Sequence, residues 1–234
     1  MRGMWSLGMS LAVLMTVGNG VAATSVPKVG GAGYFLVGRE KMSIGNLNDR
    51  LGAAGYPRLS DQGIVFGGGG HGYIGQALVG AEGGVVLVKK RTSAGFKTRL
   101  AAGYAVFNVG YAAYAGGGLC VYPLVGIGGG GMLLDIVPTT GPAFNDILVH
   151  PAQKTQLTVP FYVIQAAIGA DYVFPFGENE QKPRGPVVGV RLGYLYTPRS
   201  DNWRMGEPVR GGPTTAITGP FVRVMIGGGG VNYR

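Results

Sequence analysis

Few side chains in this 234-residue chain have the types and spacing that chemistry requires. His71 and His150 are the only histidines, and neither is accompanied by cysteine or by carboxylates at ligand spacing, so no zinc site is expected. Cys120 is the single cysteine, which excludes an intramolecular disulfide. Among Leu119, Val121 and Tyr122 it reads as a structural thiol rather than a nucleophile. Gly67 to Gly72 and Gly126 to Gly131 both satisfy G-x-G-x-x-G, but accidental matches are expected in a chain with 46 glycines, and neither opens a helix within a βαβ unit. A base with a nearby hydroxyl remains: His150 has Thr155 and Thr158 in its neighbourhood, without a signature such as His-x-Ser. The expectation is a protein with no catalytic residues, no metal and no cofactor.

The charges that carry a pattern lie inside alternating segments. Residues 157 to 176 separate at period two into an apolar face, Tyr162, Ile164, Ala166, Ile168, Ala170, Tyr172 and Phe174, and a second face of Gln165, Ala167, Gly169 and Asp171. Such alternation marks a strand whose two sides meet different surroundings. Tyr162 and Tyr172 are ten residues apart, which at about 3.3 Å per residue and a tilt of about 45° spans roughly 23 Å, close to the apolar height of an outer-membrane barrel. A half-buried strand of a soluble sandwich would alternate in the same way.

Three wider features favour the membrane. Arg2, the apolar stretch Met4 to Val17 and the small residues Val21-Ala22-Ala23 read as a cleaved signal peptide over 1–23, leaving a single domain over 24–234 with a charge of +8. Charged residues make up only 13% of the chain, awkward for an exported soluble protein without disulfides but expected where half the strand positions face hydrocarbon. Glycine weakens an isolated strand, so this glycine load requires an architecture in which every strand is paired on both sides, as in a closed barrel. Against this, Leu100 to Leu134 contains no charged residue or histidine and could be scored as one or two membrane helices of an inner-membrane protein. Glycine blocks, Pro123 and period-two alternation over Leu119 to Ile127 argue for strands there.

Strand and turn signals give eight segments, at about 31–38, 62–72, 76–89, 97–114, 119–135, 157–175, 187–198 and 214–229. Their connections alternate between long polar stretches and short ones, as in barrels with long external loops and short periplasmic turns. Leu47, Leu51 and Ala54, within 42–56, have helical spacing and predict a short helix capping the barrel mouth from the first loop.

This combination resembles the small eight-stranded bacterial outer-membrane barrels, the broad group of OmpA-like and OmpX-like membrane domains. The fold class is therefore all-β, a closed antiparallel up-and-down transmembrane barrel. The resemblance implies a non-enzymatic structural or surface-interaction role in the bacterial outer membrane and assembly by the outer-membrane machinery. It leaves a narrow passive channel and a lipid-modifying barrel enzyme as alternatives. The chain departs from the group at its end, where Tyr233 is penultimate and Arg234 terminal.

Within this frame Gln165, Asp171, Arg191 and Arg223 point into the lumen, and Tyr162, Tyr172, Phe174, Tyr194 and Tyr196 form aromatic rims. A hairpin symmetric about Gln181 would place Asp171 opposite Arg191 as an interior ion pair. One centred on Gly206 would place Arg223 opposite Gly189, whose missing side chain leaves room for the guanidinium. Basic residues concentrate in the expected external loops, among them Arg39, Lys41, Lys90, Arg91, Arg199 and Arg204. They are candidate contacts to lipopolysaccharide phosphate, whereas nucleic acid is excluded as a partner by export.

Overall fold

Each of the eight alternating segments forms one long strand, and the ladder between the last and the first closes the sheet into a barrel. The structure, a computed structural model, describes residues 27–93, 95–140, 144–149, 155–176 and 182–233. The expected signal peptide, His150 and the turn centre at Gln181 lie outside them. The strands are β1 (Pro27–Lys41), β2 (Gln62–Ile74), β3 (Ala77–Leu87), β4 (Phe96–Tyr111), β5 (Leu119–Pro138), β6 (Thr155–Val173), β7 (Arg184–Tyr196) and β8 (Gly219–Tyr233). Each pairs antiparallel with its chain neighbours, and β8 pairs β1 from Pro27 opposite Tyr233 to Glu40 opposite Phe221. Closure removes both sheet edges and leaves an interior that side chains of an eight-stranded barrel just fill.

Closure also explains where the observed strands differ from the expected ones. The last was expected over 214–229 and the first over 31–38, whereas they run over Gly219–Tyr233 and Pro27–Lys41. In the barrel Gly227 to Gly230 instead lie against Tyr34, Gly33, Ala32 and Gly31, so both strands continue to Tyr233 and back to Pro27. Glycine without a side chain to pack is tolerated there because backbone hydrogen bonds run to both sides. The uncharged stretch 100–134 forms most of β4 and β5, not helices. No helix among the described residues is long and apolar enough to cross a membrane.

Connections fall into two classes. At one end, the turn end, they cover 75–76, 112–118 and 174–183. At the other, the loop end, they cover 42–61, 88–95, 139–154 and 197–218. The first long connection carries α1 (Gly45–Ala53), as its helical spacing predicted, with Leu47 and Leu51 buried and Ala54 at its C-terminal boundary. The third carries α2 (Phe144–Val149), which has no counterpart in the sequence reading. The first and last connections are stitched together by the Ser43–Ala216 bridge and by a 2.6 Å hydrogen bond from Asn46 Nδ2 to Thr214 Oγ1. Their side chains Ile44, Leu47, Trp203 and Ile217 join the same buried cluster as the lumen-facing strand residues, so the loop end bears an ordered apolar cap.

The two wall faces differ in kind. Outward positions between the two ends of the wall are apolar, Phe35 exposed by 81% and Tyr162 by 77%. Inward positions combine packed apolar side chains with buried Glu40, His71, Glu82, Asn108, Gln165, Asp171, Arg191 and Arg223.

Candidate functional site

Strand register sets up the conspicuous feature of the interior. Arg223 on β8 stands directly opposite Arg191 on β7, so two guanidinium groups share one level of the lumen. Like charges on opposed ladder positions repel. Two carboxylates from the far wall and the first strand offset them. Glu82 Oε1 accepts from Arg223 Nη1 at 2.6 Å, and Glu82 Oε2 accepts from Arg191 Nη1. Glu40 Oε1 accepts from Arg223 Nε at 2.9 Å and Nη2 at 2.7 Å. All four side chains are at most 1% exposed, so each charge relies on these contacts rather than on bulk water.

Neutral groups complete the layer. The Tyr104 hydroxyl donates to Glu40 Oε1 and accepts from Arg223 Nη2 at 2.6 Å. Gln165 donates to Glu82 at 2.7 Å and accepts from Arg223 at 2.9 Å, which fixes its amide orientation. Arg191 Nη2 donates at 2.9 Å to the Tyr122 hydroxyl, which in turn donates at 2.9 Å to Asp171 Oδ2. His71 Nε2 lies 3.2 Å from the same Asp171 oxygen. The rings of Phe221 and Tyr104 lie beside the Arg223 guanidinium, 3.7 and 5.6 Å from centroid to Cζ, and Tyr34 and Tyr122 beside that of Arg191. Every strand contributes: Tyr34 and Glu40 from β1, His71 from β2, Glu82 from β3, Tyr104 and Asn108 from β4, Tyr122 from β5, Gln165 and Asp171 from β6, Arg191 from β7 and Arg223 from β8.

Two expected pairings are corrected by the register. Asp171 stands opposite Gly189, not Arg191, because the β6–β7 hairpin pairs two residues away from the assumed symmetry. Asp171 therefore accepts from the Tyr122 hydroxyl and lies beside His71, and Arg191 finds Glu82 across the lumen. Arg223 stands opposite Arg191 rather than Gly189. Gly189 does provide room, but for other groups: a Cβ there would collide with Asp171 Oδ1 and come within 2.8 Å of Met225 Cε. Gly169 does the same for the ring of Tyr122.

Gln165, Asp171, Arg191 and Arg223 thus meet in one buried network, while their partners Glu40 and Glu82 were missed. Glu40 was hidden by ending β1 at residue 38. Glu82 sits between apolar faces of β3, and only the presence of a charge in mid-strand could have flagged it. The aromatics face outward, Tyr162, Tyr194 and Tyr196 toward the loop end and Tyr172 and Phe174 toward the turn end. Arg39 and Lys41 lie on the outer wall of β1, not in a loop, and Lys41 Nζ is 3.9 Å from Asp61. Lys90, Arg91, Arg199 and Arg204 are exposed at the loop end.

No family model matches the chain, and no curated protein matches it in sequence. Within the described residues no group of three or more histidine, cysteine or acidic side chains could hold a metal.

Proposed function

We infer that this protein is a non-enzymatic outer-membrane barrel with a sealed lumen, which anchors ordered loops at the cell surface. One observation carries the reading: the charges are distributed inside out. Along all eight strands the outward positions between the two rims are Val, Ile, Leu, Phe, Tyr, Pro, Ala and Gly, while the mid-barrel charges Glu82, Asp171, Arg191 and Arg223 face inward. A soluble barrel would expose this apolar band to water at a large cost. On β4 the uncharged outward run Ala101 to Tyr111 spans roughly 23 Å at the usual strand tilt, near the apolar height of outer-membrane barrels. The loop class at one end and the turn class at the other support an orientation with the long loops outside. The basic loop residues are then at the height of lipopolysaccharide phosphates.

The lumen network supports a structural rather than a conducting role, because paired guanidinium and carboxylate groups occupy the cross-section that ions would need. Expression in a Gram-negative host tests the membrane reading. The protein is expected in the outer-membrane fraction and to run faster on gels unboiled than boiled; recovery in the soluble periplasm, with one mobility, would refute it.

A further inference from the structure

The outer wall at the loop end is chemically lopsided. Over β6 and β7 its outward residues are Tyr162, Tyr194 and Tyr196, whereas over β1 to β4 they include Arg39, Lys41, Lys97 and Arg99, with Lys89 just past the end of β3. Between β1 and β3 lies a groove lined by Arg39, Gln62, Ile64, Phe66, Leu87 and Lys89. Its residues are ordered by register. Arg39, Ile64 and Leu87 are ladder neighbours, as are Val37, Phe66 and Val85 one step toward the middle of the barrel. Lys41 pairs Gln62 one step toward the loops, with Lys89 two residues beyond Leu87, past the end of the third strand. The groove therefore grades from polar through mixed to fully apolar across three rows, along the direction of the membrane normal.

Charge sharpens the fit. Neither Arg39 nor Lys89 has a carboxylate partner among the described residues, while Lys41 has Asp61. Two unpaired cations above an apolar wall complement an amphiphile whose anionic head lies directly over acyl chains. With strands about 4.8 Å apart and about 3.3 Å per residue along them, Arg39 and Lys89 are two strands across and two residues along, roughly 12 Å between backbones, a gap that two long side chains can close on one phosphorylated head group. The Arg39 guanidinium offers the paired donors that phosphate oxygens accept.

We propose that this groove is a binding site for a phosphorylated outer-leaflet lipid, with Arg39 and Lys89 on its phosphate and Ile64, Phe66 and Leu87 under its first acyl chain. The proposal rests on the membrane reading above and narrows its lipopolysaccharide contact from the loops to one place on the wall.

The test uses the full chain refolded in zwitterionic detergent, with native mass spectrometry of added bis-phosphorylated lipid A, the same lipid with both phosphates removed, and phosphatidylcholine. Wild type is expected to retain the phosphorylated lipid only. R39Q/K89Q is expected to bind it about 30-fold more weakly, since each cation near an anionic surface is worth about 1 kcal/mol. R199Q/R204Q, altered in the last loop, is expected to bind as wild type. Raising salt should weaken wild-type binding too, a readout that requires no variant. Equal retention by R39Q/K89Q, equal loss in R199Q/R204Q, indifference to the phosphates, or a lipid-free dimer in place of the adduct would each overturn the site. A protein that inserts into phosphatidylcholine vesicles yet shows no phosphate preference overturns the site alone, whereas one that does not insert overturns the membrane reading.

Discussion

Arg223 and Arg191 face each other across one rung of the β7–β8 ladder, an arrangement that stands only because Glu82 bridges both and Glu40 holds the first. Removing one partner from such a group strands a buried charge, which costs about 3–5 kcal/mol. Arg223→Met is expected to destabilise the barrel by that amount, measured by urea unfolding from phospholipid vesicles. Glu40→Gln in the Arg223→Met background should cost much less than it does in wild type, because the carboxylate it removes has already lost two of its hydrogen bonds. Simple additivity in that double-mutant cycle would contradict the network.

At the scale of the strand, glycines divide by the face they occupy. Gly189 faces inward, where a Cβ would meet Asp171 and Met225, so Gly189→Leu is expected to cost roughly 1–3 kcal/mol through overpacking. Gly33 lies on β1 with open space around its missing Cβ, so Gly33→Val should fold with unchanged stability within about 0.5 kcal/mol. Comparing their unfolding midpoints checks the assignment of faces, since a barrel turned inside out would reverse the order. The same parity separates the two walls of β6, where Tyr162 and Ile168 are exposed while Gln165 and Asp171 are buried.

For the whole molecule, closure couples these layers. Eight strands leave an interior that side chains can fill, and here all eight supply polar groups to one network beneath an apolar cap formed by the first and last connections. In planar bilayers the wild-type protein is therefore expected to show no steady single-channel openings; regular conductance steps would contradict the sealed lumen. Alanine at Glu40, Glu82, Arg191 and Arg223 together removes both guanidinium groups and their carboxylates and should introduce openings if the protein still inserts.

The sequence determined the class of the fold, since alternation at period two, the number of segments and the division into long and short connections are local properties written along each strand. It also placed Asp171, Arg191 and Arg223 on the inner parity, because parity requires only that a strand be continuous, and α1 was legible from Leu47 and Leu51. Pairing was another matter. The face a residue occupies follows from its own strand, but its partner depends on hairpin register and on closure, and a two-residue slip moves every neighbour without changing any face. Symmetric hairpins therefore paired Asp171 with Arg191, which it does not meet, and ending β1 at Gly38 left out Glu40. Only the closed barrel brings Glu40 and Glu82, from strands remote in sequence, to the two arginines, and only its outer wall brings Arg39 and Lys89 to one groove.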